Sequence, residues 1–312
     1  MLSVFTSIKL SADEKGLVLT QDDFWKIARA NGGYAHLAGD DSEIQRAIDG
    51  LFSGSISSSP RPAYSLSSSP TTKRKTLEAS AEQIERWKAN ASEFIASKGG
   101  RVEQIDLLEA SPIKPAQGKG FVTACETLFH PDEGVAVVTD LWEKNIVRTP
   151  PEWRKFYASG RSIHTKQGGW WRINPILTTG GTGKNEACCD RDVTAYRYFL
   201  LENDKLPIET QLGILAYLFL PIVSIVDSAG KSLHALVRLE GTIPDKETFQ
   251  KQVEPLLHDL HEAYGYDVSN KNPSRMSRLP DGWRDINRRE GSDGNQRILF
   301  LAEMHREAKA IL

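Results

Sequence analysis

Residues Tyr196–Glu240 read YRYFLLENDKLPIETQLGILAYLFLPIVSIVDSAGKSLHALVRLE, and their pattern decides the fold. An apolar run over about Ala195–Leu201 predicts a strand ending in Glu202-Asn203-Asp204. Pro207 suits the first turn of a helix running to about Phe219, where the missing N–H costs nothing. Ile222–Val226 reads as a second strand, Asp227-Ser228-Ala229-Gly230 as a turn, and Ser232–Leu239 as the returning strand. Side chains two apart on a strand share a face. By that rule Glu202 and Asp204 point one way, as do Ser232 and His234. Leu233, Ala235, Val237 and Leu239 are then the buried face of the returning strand.

Downstream, Glu247–Tyr264 forms an amphipathic helix closed by Gly265, Arg297–Leu301 is a final strand, and a short helix is expected to end the chain. The order β-α-β-β-α-β over Ala195–Leu301 is a split βαβ, the ferredoxin- or RRM-like arrangement. Upstream, Val135–Val138 and Trp170–Pro175 read as strands. Thr76–Ser97 carries Leu77, Ile84, Trp87, Ala91, Phe94 and Ile95 at helical spacing, with Ser80 as a cap and Gly99-Gly100 as the stop. Ser53–Thr72 is Ser/Pro-rich with almost nothing to bury. The expected class is α+β. An RRM-like catalytic module fills 191–312 and an α/β module 76–190. A linker or loop covers 53–75, and 1–52 is a small accessory segment with one helix near Asp22–Ala30.

Composition sets outer bounds. The 312 residues suffice for one large domain or two ordinary ones, and 39% hydrophobic with 26% charged residues describes a soluble globular chain. No apolar run approaches the roughly 18 residues of a membrane span, and MLSVFTSIKLSADEKG lacks the pattern of a signal peptide. A cytoplasmic location with no membrane partner is expected. Cys188 and Cys189 are adjacent, Cys125 is distant and no CxxC occurs, so neither a disulfide framework nor a cysteine zinc site is supported. The net charge of −2 does not advertise nucleic-acid binding. Local clustering matters more. Lys271–Arg297 holds seven basic residues against four acidic ones, and Lys144–Arg172 is a second basic region.

Two acids closing one strand and a Ser/His pair on a neighbouring strand suit metal ions and a polyphosphate. Hard cations take oxygen ligands, and Lys231, Ser232 and His234 can donate to phosphate oxygens. Taken in order, Glu202-Asn203-Asp204, Ser232-Leu233-His234, and Asp267 in Tyr264-Gly265-Tyr266-Asp267 resemble the motifs of the archaeo-eukaryotic primase superfamily. Its members are the primase-polymerases of phage, plasmid and other mobile-element replication modules. Asp267–Pro280, with Arg275 and Arg278 just past the third acid, fits the arginines that family often adds. The resemblance covers roughly Val135–Leu301 and is strongest from Trp170 onward. One departure is Glu202, since the first motif more often begins with Asp.

The resemblance implies a primase-type fold and a DNA-directed nucleotidyltransferase. Such an enzyme joins NTPs or dNTPs on a single-stranded DNA template with two Mg²⁺ or Mn²⁺ ions, and a replicative helicase is fused to it or partnered with it. Glu202, Asp204 and Asp267 would hold the metals. Lys231, Ser232 and His234 would grip the incoming triphosphate, with Arg275 and Arg278 on phosphate or template. Arg172 and Asn174, two apart beside Trp171, are expected to face nucleotide or template, with Trp171 in the core. Two rivals stand beside this reading. A two-metal nuclease has less need of Lys-Ser-x-His, and a non-catalytic replication-initiator or RNA-binding module would stack bases on exposed sheet aromatics. The sheet positions expected to face out hold Glu202, Asp204, Ser232 and His234 instead.

Two other patterns carry no chemistry. Gly180-Gly181-Thr182-Gly183-Lys184 lacks the Gly at 178 and the Ser or Thr at 185 of a P-loop, so it reads as a connection. His258 and His261 lack a third ligand and read as surface histidines.

Overall fold

The computed structural model describes residues 79–139, 145–163, 166–183 and 186–312. The helix expected near Asp22–Ala30 and the Ser/Pro-rich stretch lie outside the described residues. Trp87–Leu312 forms one compact unit. Its elements are α1 (Ala81–Lys98, beginning ahead of that unit), α2 (Gln104–Ala110), α3 (Gly120–Leu128), β1 (Val135–Val138), β2 (Ile146–Arg148), α4 (Pro150–Ala158) and β3 (Trp170–Arg172). Then come β4 (Tyr198–Glu202), α5 (Ile208–Tyr217), β5 (Ile222–Asp227), β6 (Leu233–Arg238), α6 (Lys246–Tyr264), β7 (Met276–Arg278) and β8 (Arg297–Leu301).

Local chemistry explains most boundaries. Ser80 accepts the Gln83 amide at 3.2 Å at the start of α1. Thr149 and Glu152 close a capping box ahead of the prolines that open α4. Asp245 caps α6 by accepting the Thr248 amide at 2.7 Å. Gly265 ends α6 in the left-handed conformation at φ 78°. There a Cβ would come 2.5 Å from the Trp87 ring. The short helix expected at the C-terminus does not form: Ala302–Leu312 is turns and extended chain. It is held instead by a bridge between Leu220 and Lys309 and by the Ile311 amide on the Ala216 carbonyl.

The strands form two antiparallel four-stranded sheets, β2-β1-β3-β7 and β4-β6-β5-β8. The chain is α+β, as expected, with one difference in the second sheet. A ferredoxin-like sheet sets its fourth strand beside the first. Here β8 lies beside β5, at the far edge from β4. A second difference is β7, which leaves the C-terminal half and completes the first sheet by pairing Ser277 with Trp171. A boundary near residue 190 therefore does not separate the two sheets.

One core cluster joins the two sheets. It holds Val135, Val137, Trp171 and Leu279 around the first, Tyr198, Leu200, Leu236 and Leu301 from the second, and Phe121 and Trp153 from α3 and α4. Cross-strand partners share a face, so Leu200 opposite Leu236 and Glu202 opposite His234 belong to that same inner surface. The expectation of a polar, outward face on β6 is therefore corrected. Ser232 through Val237 is buried on both faces, and the polar pair stands at the end of an inter-sheet surface.

Candidate functional site

Four sequence-distant segments meet at the open end of β4 and β6. Glu202 is the last residue of β4, and its Oε1 lies 3.3 Å from His234 Nε2. Ser232 Oγ is 3.4 Å from both that oxygen and that nitrogen. On its other side the His234 ring meets β7, with the Arg278 amide 3.4 Å and Ser277 Oγ 3.5 Å from Nδ1. The ring thus stands between β7 and the Glu202 carboxylate, with its Nε2 edge directed at Glu202. Gln211 on α5 fixes the lead-in to β6, donating to the Lys231 carbonyl at 2.9 Å and accepting from the Leu233 amide at 2.8 Å.

The middle residue of Glu202-Asn203-Asp204 is structural. Asn203 is buried; its Nδ2 donates to the Tyr264 carbonyl at 2.7 Å, and its Oδ1 accepts from Lys205 and Leu206 at 2.9 and 3.0 Å. This turns the chain out of β4 and pins it to the end of α6. The Asp267 amide then donates to the Glu202 carbonyl at 2.9 Å, so the third acid's backbone lies against the first. Asp204 sits past the strand end in a bend and is exposed. The strand whose two-residue repeat would align it with Glu202 stops two residues short of it.

Charges balance locally. Burial would raise the Glu202 carboxyl, but His234, Arg275 and Arg278 outweigh it and hold it at about 2. Asp267 pairs with Arg275 at 3.4 Å and accepts from the Ser269 amide and hydroxyl at 2.8 and 2.7 Å. Arg278 lies 4.5 Å over the Trp170 ring, its cross-strand neighbour, and donates to the Gln167 carbonyl at 2.9 Å. Burial and nearby Arg284 lower it to about 10, against the pull of Glu202 and Asp204, so it stays charged at neutral pH. Lys231 is exposed beside Ser232.

Arg172 and Asn174 are not part of this cluster. Asn174 is fully buried and has used every valence: Nδ2 donates to the Tyr198 and Pro273 carbonyls, and Oδ1 accepts the Arg197 and Tyr198 amides, all within 2.9 Å. It splices β4 to the segment before β7 and has no donor left for a nucleotide. Arg172 is turned toward Asn145 and the Ser274 carbonyl, to which its Nε and Nη1 donate. The strand ends at Arg172, so the shared-face rule again ran past its element. Trp171 is fully buried in the core, as expected.

Gly180–Gly183 is part of the connection between β3 and β4. Asp192 ties it down, accepting from Thr182 and Cys189. His258 is exposed, whereas half-buried His261 meets the Tyr266 carbonyl at 2.8 Å and stands edge-on to Trp87.

The donor type of Glu202, Asp204 and Asp267 fits a hard divalent cation. In this structure each faces a protein group instead: His234, Arg275, or the field of Arg278 and Arg284. Among the described residues no three His, Cys, Asp or Glu side chains converge on one metal position. Ser277, Arg284 and Arg289 were not given roles by sequence reasoning. They lie in the basic run after Asp267, which does not tell clamps from ligands. Arg284 donates to the Ser228 carbonyl at 3.2 Å, and Arg289 pairs with buried Asp227 at 2.8 Å, so both brace the β5–β6 turn. No described helix is long and apolar enough to cross a membrane.

No protein-family model and no curated protein matches the chain. Among solved structures, it is similar to the AEP domain of the cyanophage S-2L primase-polymerase (PrimPol). The identity is 15% and the TM-score 0.39, over 62% of this chain and 93% of that one.

Proposed function

We propose that the chain is a template-dependent nucleotidyltransferase, a DNA primase-polymerase working on single-stranded DNA in the replication of a mobile element. One observation carries the reading. Glu202, Ser232 and His234 meet in direct cross-strand register, with Asp267 bonded through its backbone to Glu202 and Arg278 entering on β7. Three acids, a Ser-x-His and two arginines from four segments lie toward one end of one sheet, which supports the reading.

In this scheme Ser232, His234 and Lys231 bind the triphosphate of the incoming NTP or dNTP. Arg275 and Arg278 balance its charge or the template backbone's. Glu202, Asp204 and Asp267 would hold Mg²⁺ or Mn²⁺, which when bound supplies Lewis-acid stabilisation of the reacting phosphates. The Nε2–H of His234 holds Glu202 in place and, once that contact is exchanged, offers a donor to a phosphate oxygen. The buried sheet keeps Glu202, Ser232 and His234 in a water-poor setting where charge–charge forces are strong.

Mn²⁺ titration by calorimetry tests the metal assignment apart from turnover. The full chain should bind the ion, and Glu202→Ala/Asp204→Ala should not. Equal binding by both would move the metal elsewhere. The rival binding-module reading needs exposed aromatics on the sheet, but this face is covered by the first sheet.

A further inference from the structure

A pocket of about 610 Å³ lies where the β5–β6 turn meets the loop before β8. Five cationic side chains line it: Lys88, Lys205, Lys231, Arg288 and Arg289. Its acids are Asp204 and Glu209. It shares Asp204 and Lys231 with the candidate site, whereas Glu202, Ser232, His234 and Asp267 do not line it. On a chain with a net charge of −2, such a concentration of cations in one concavity is unusual.

The walls are fastened to each other. The Arg289 amide donates to the Ala229 carbonyl at 2.8 Å, and its guanidinium reaches the Gly230 carbonyl at 3.0 Å and Asp227 at 2.8 Å. Arg284 packs so closely on Gly230 that a Cβ there would lie 2.1 Å from its Nη1. Both facing loops hold a non-glycine residue in the left-handed region, Ala229 at φ 56° and Asn287 at φ 55°. Alanine rarely adopts that conformation, and its occurrence in a braced loop fits a preformed binding wall. Lys205, Lys231 and Arg288 are exposed. The volume falls in the range of small-ligand sites.

We propose that this pocket binds a phosphate chain through protein cations alone, without a divalent metal. Its ligand is the polyphosphate of a nucleoside triphosphate or the 5′-phosphorylated end of a strand. Lys205 and Arg288 are the residues that decide its affinity. The proposal does not depend on the nucleotidyl-transfer reading, because binding is measured with metal removed.

The experiment is calorimetric titration of the full chain with inorganic tripolyphosphate in EDTA. Binding is expected, with a loss of at least about tenfold in Lys205→Ala/Arg288→Ala, whose exposed positions leave the fold intact by thermal unfolding. Arg154→Ala on α4 should change nothing. Competition with ATP, and with 5′-phosphorylated against 5′-hydroxyl oligonucleotide, shows which source of phosphate the pocket accepts; displacement by either supports the site. Absence of binding in EDTA, equal binding by the double variant, or displacement by neither competitor would overturn it.

Discussion

Glu202 is the residue on which the site's electrostatics turn, and its protonation has a direction that can be measured. Its carboxyl is depressed from an ordinary 4.5 to about 2, so its ionised form stabilises the fold fully above about pH 4.5. That contribution is lost as pH falls toward 2. Glu202→Gln should therefore flatten the acid limb of stability between pH 4.5 and 2, read as denaturant midpoint against pH; an unchanged limb would contradict the pairing with His234. Asn174 makes the opposite kind of prediction. Asn174→Ala strands two amides and two carbonyls in the interior, at a cost of about 2–4 kcal/mol. Nucleotide affinity of the folded variant should stay unchanged, whereas a weakened affinity would restore the nucleotide-facing role expected from sequence. Asn174 and Asp204 show the same limit of sequence reading. Alternation assigns faces correctly inside a strand and says nothing two residues beyond its end, which propensity does not locate that finely.

Among the elements, the long apolar and amphipathic ones were legible: β4, α5, β5, β6, α6 and β8 all stand within a few residues of their expected places. Their periodicity is strong and their stops are chemical, as at Gly265. There the left-handed backbone and the Trp87 ring both forbid a side chain. Gly265→Ala should lower thermal stability by at least about 1 kcal/mol, seen as a fall in Tm; no fall would mean the helix end can re-form around it. Short elements escaped. β7 is three residues, Met-Ser-Arg, with no hydrophobic alternation, and only its pairing with β3 makes it a strand. That pairing also decides the site, because it lays Arg278 on Trp170 and turns its amide toward His234. The arginines were visible in sequence, but the strand that delivers one of them was not. The start of α4 was a missed signal of another sort, since Thr149-Pro150-Pro151-Glu152 spells out a capping box.

For the whole molecule, the core shared by the two sheets means that the site rests on both halves of the compact unit. Trp171, fully buried beside Phe121 and Phe129, is among the largest props of that core, and Trp171→Ala should cost about 3–5 kcal/mol. We further propose that a chain begun at Thr76 keeps the site. It should unfold in one cooperative transition and retain nucleotide binding; loss of either would give residues 1–75 a part in the fold. The order of predicted elements pointed to an α+β chain, and the lack of a long apolar run to one without a membrane helix. It could not foresee that the sheet face carrying Glu202 and His234 is roofed by a second sheet, because that roof is assembled from β7, far along the chain. The central claim is nucleotidyl transfer at the end of β4 and β6. Its most direct test is incorporation of labelled nucleotides on single-stranded DNA, with and without a primer, in Mg²⁺ and in Mn²⁺. The wild type should give metal-dependent extension products and Glu202→Ala/Asp204→Ala none, with products in the primer-free lane identifying a primase. A folded, DNA-binding wild type that yields no product in any lane, or that shortens the template instead, would contradict the claim.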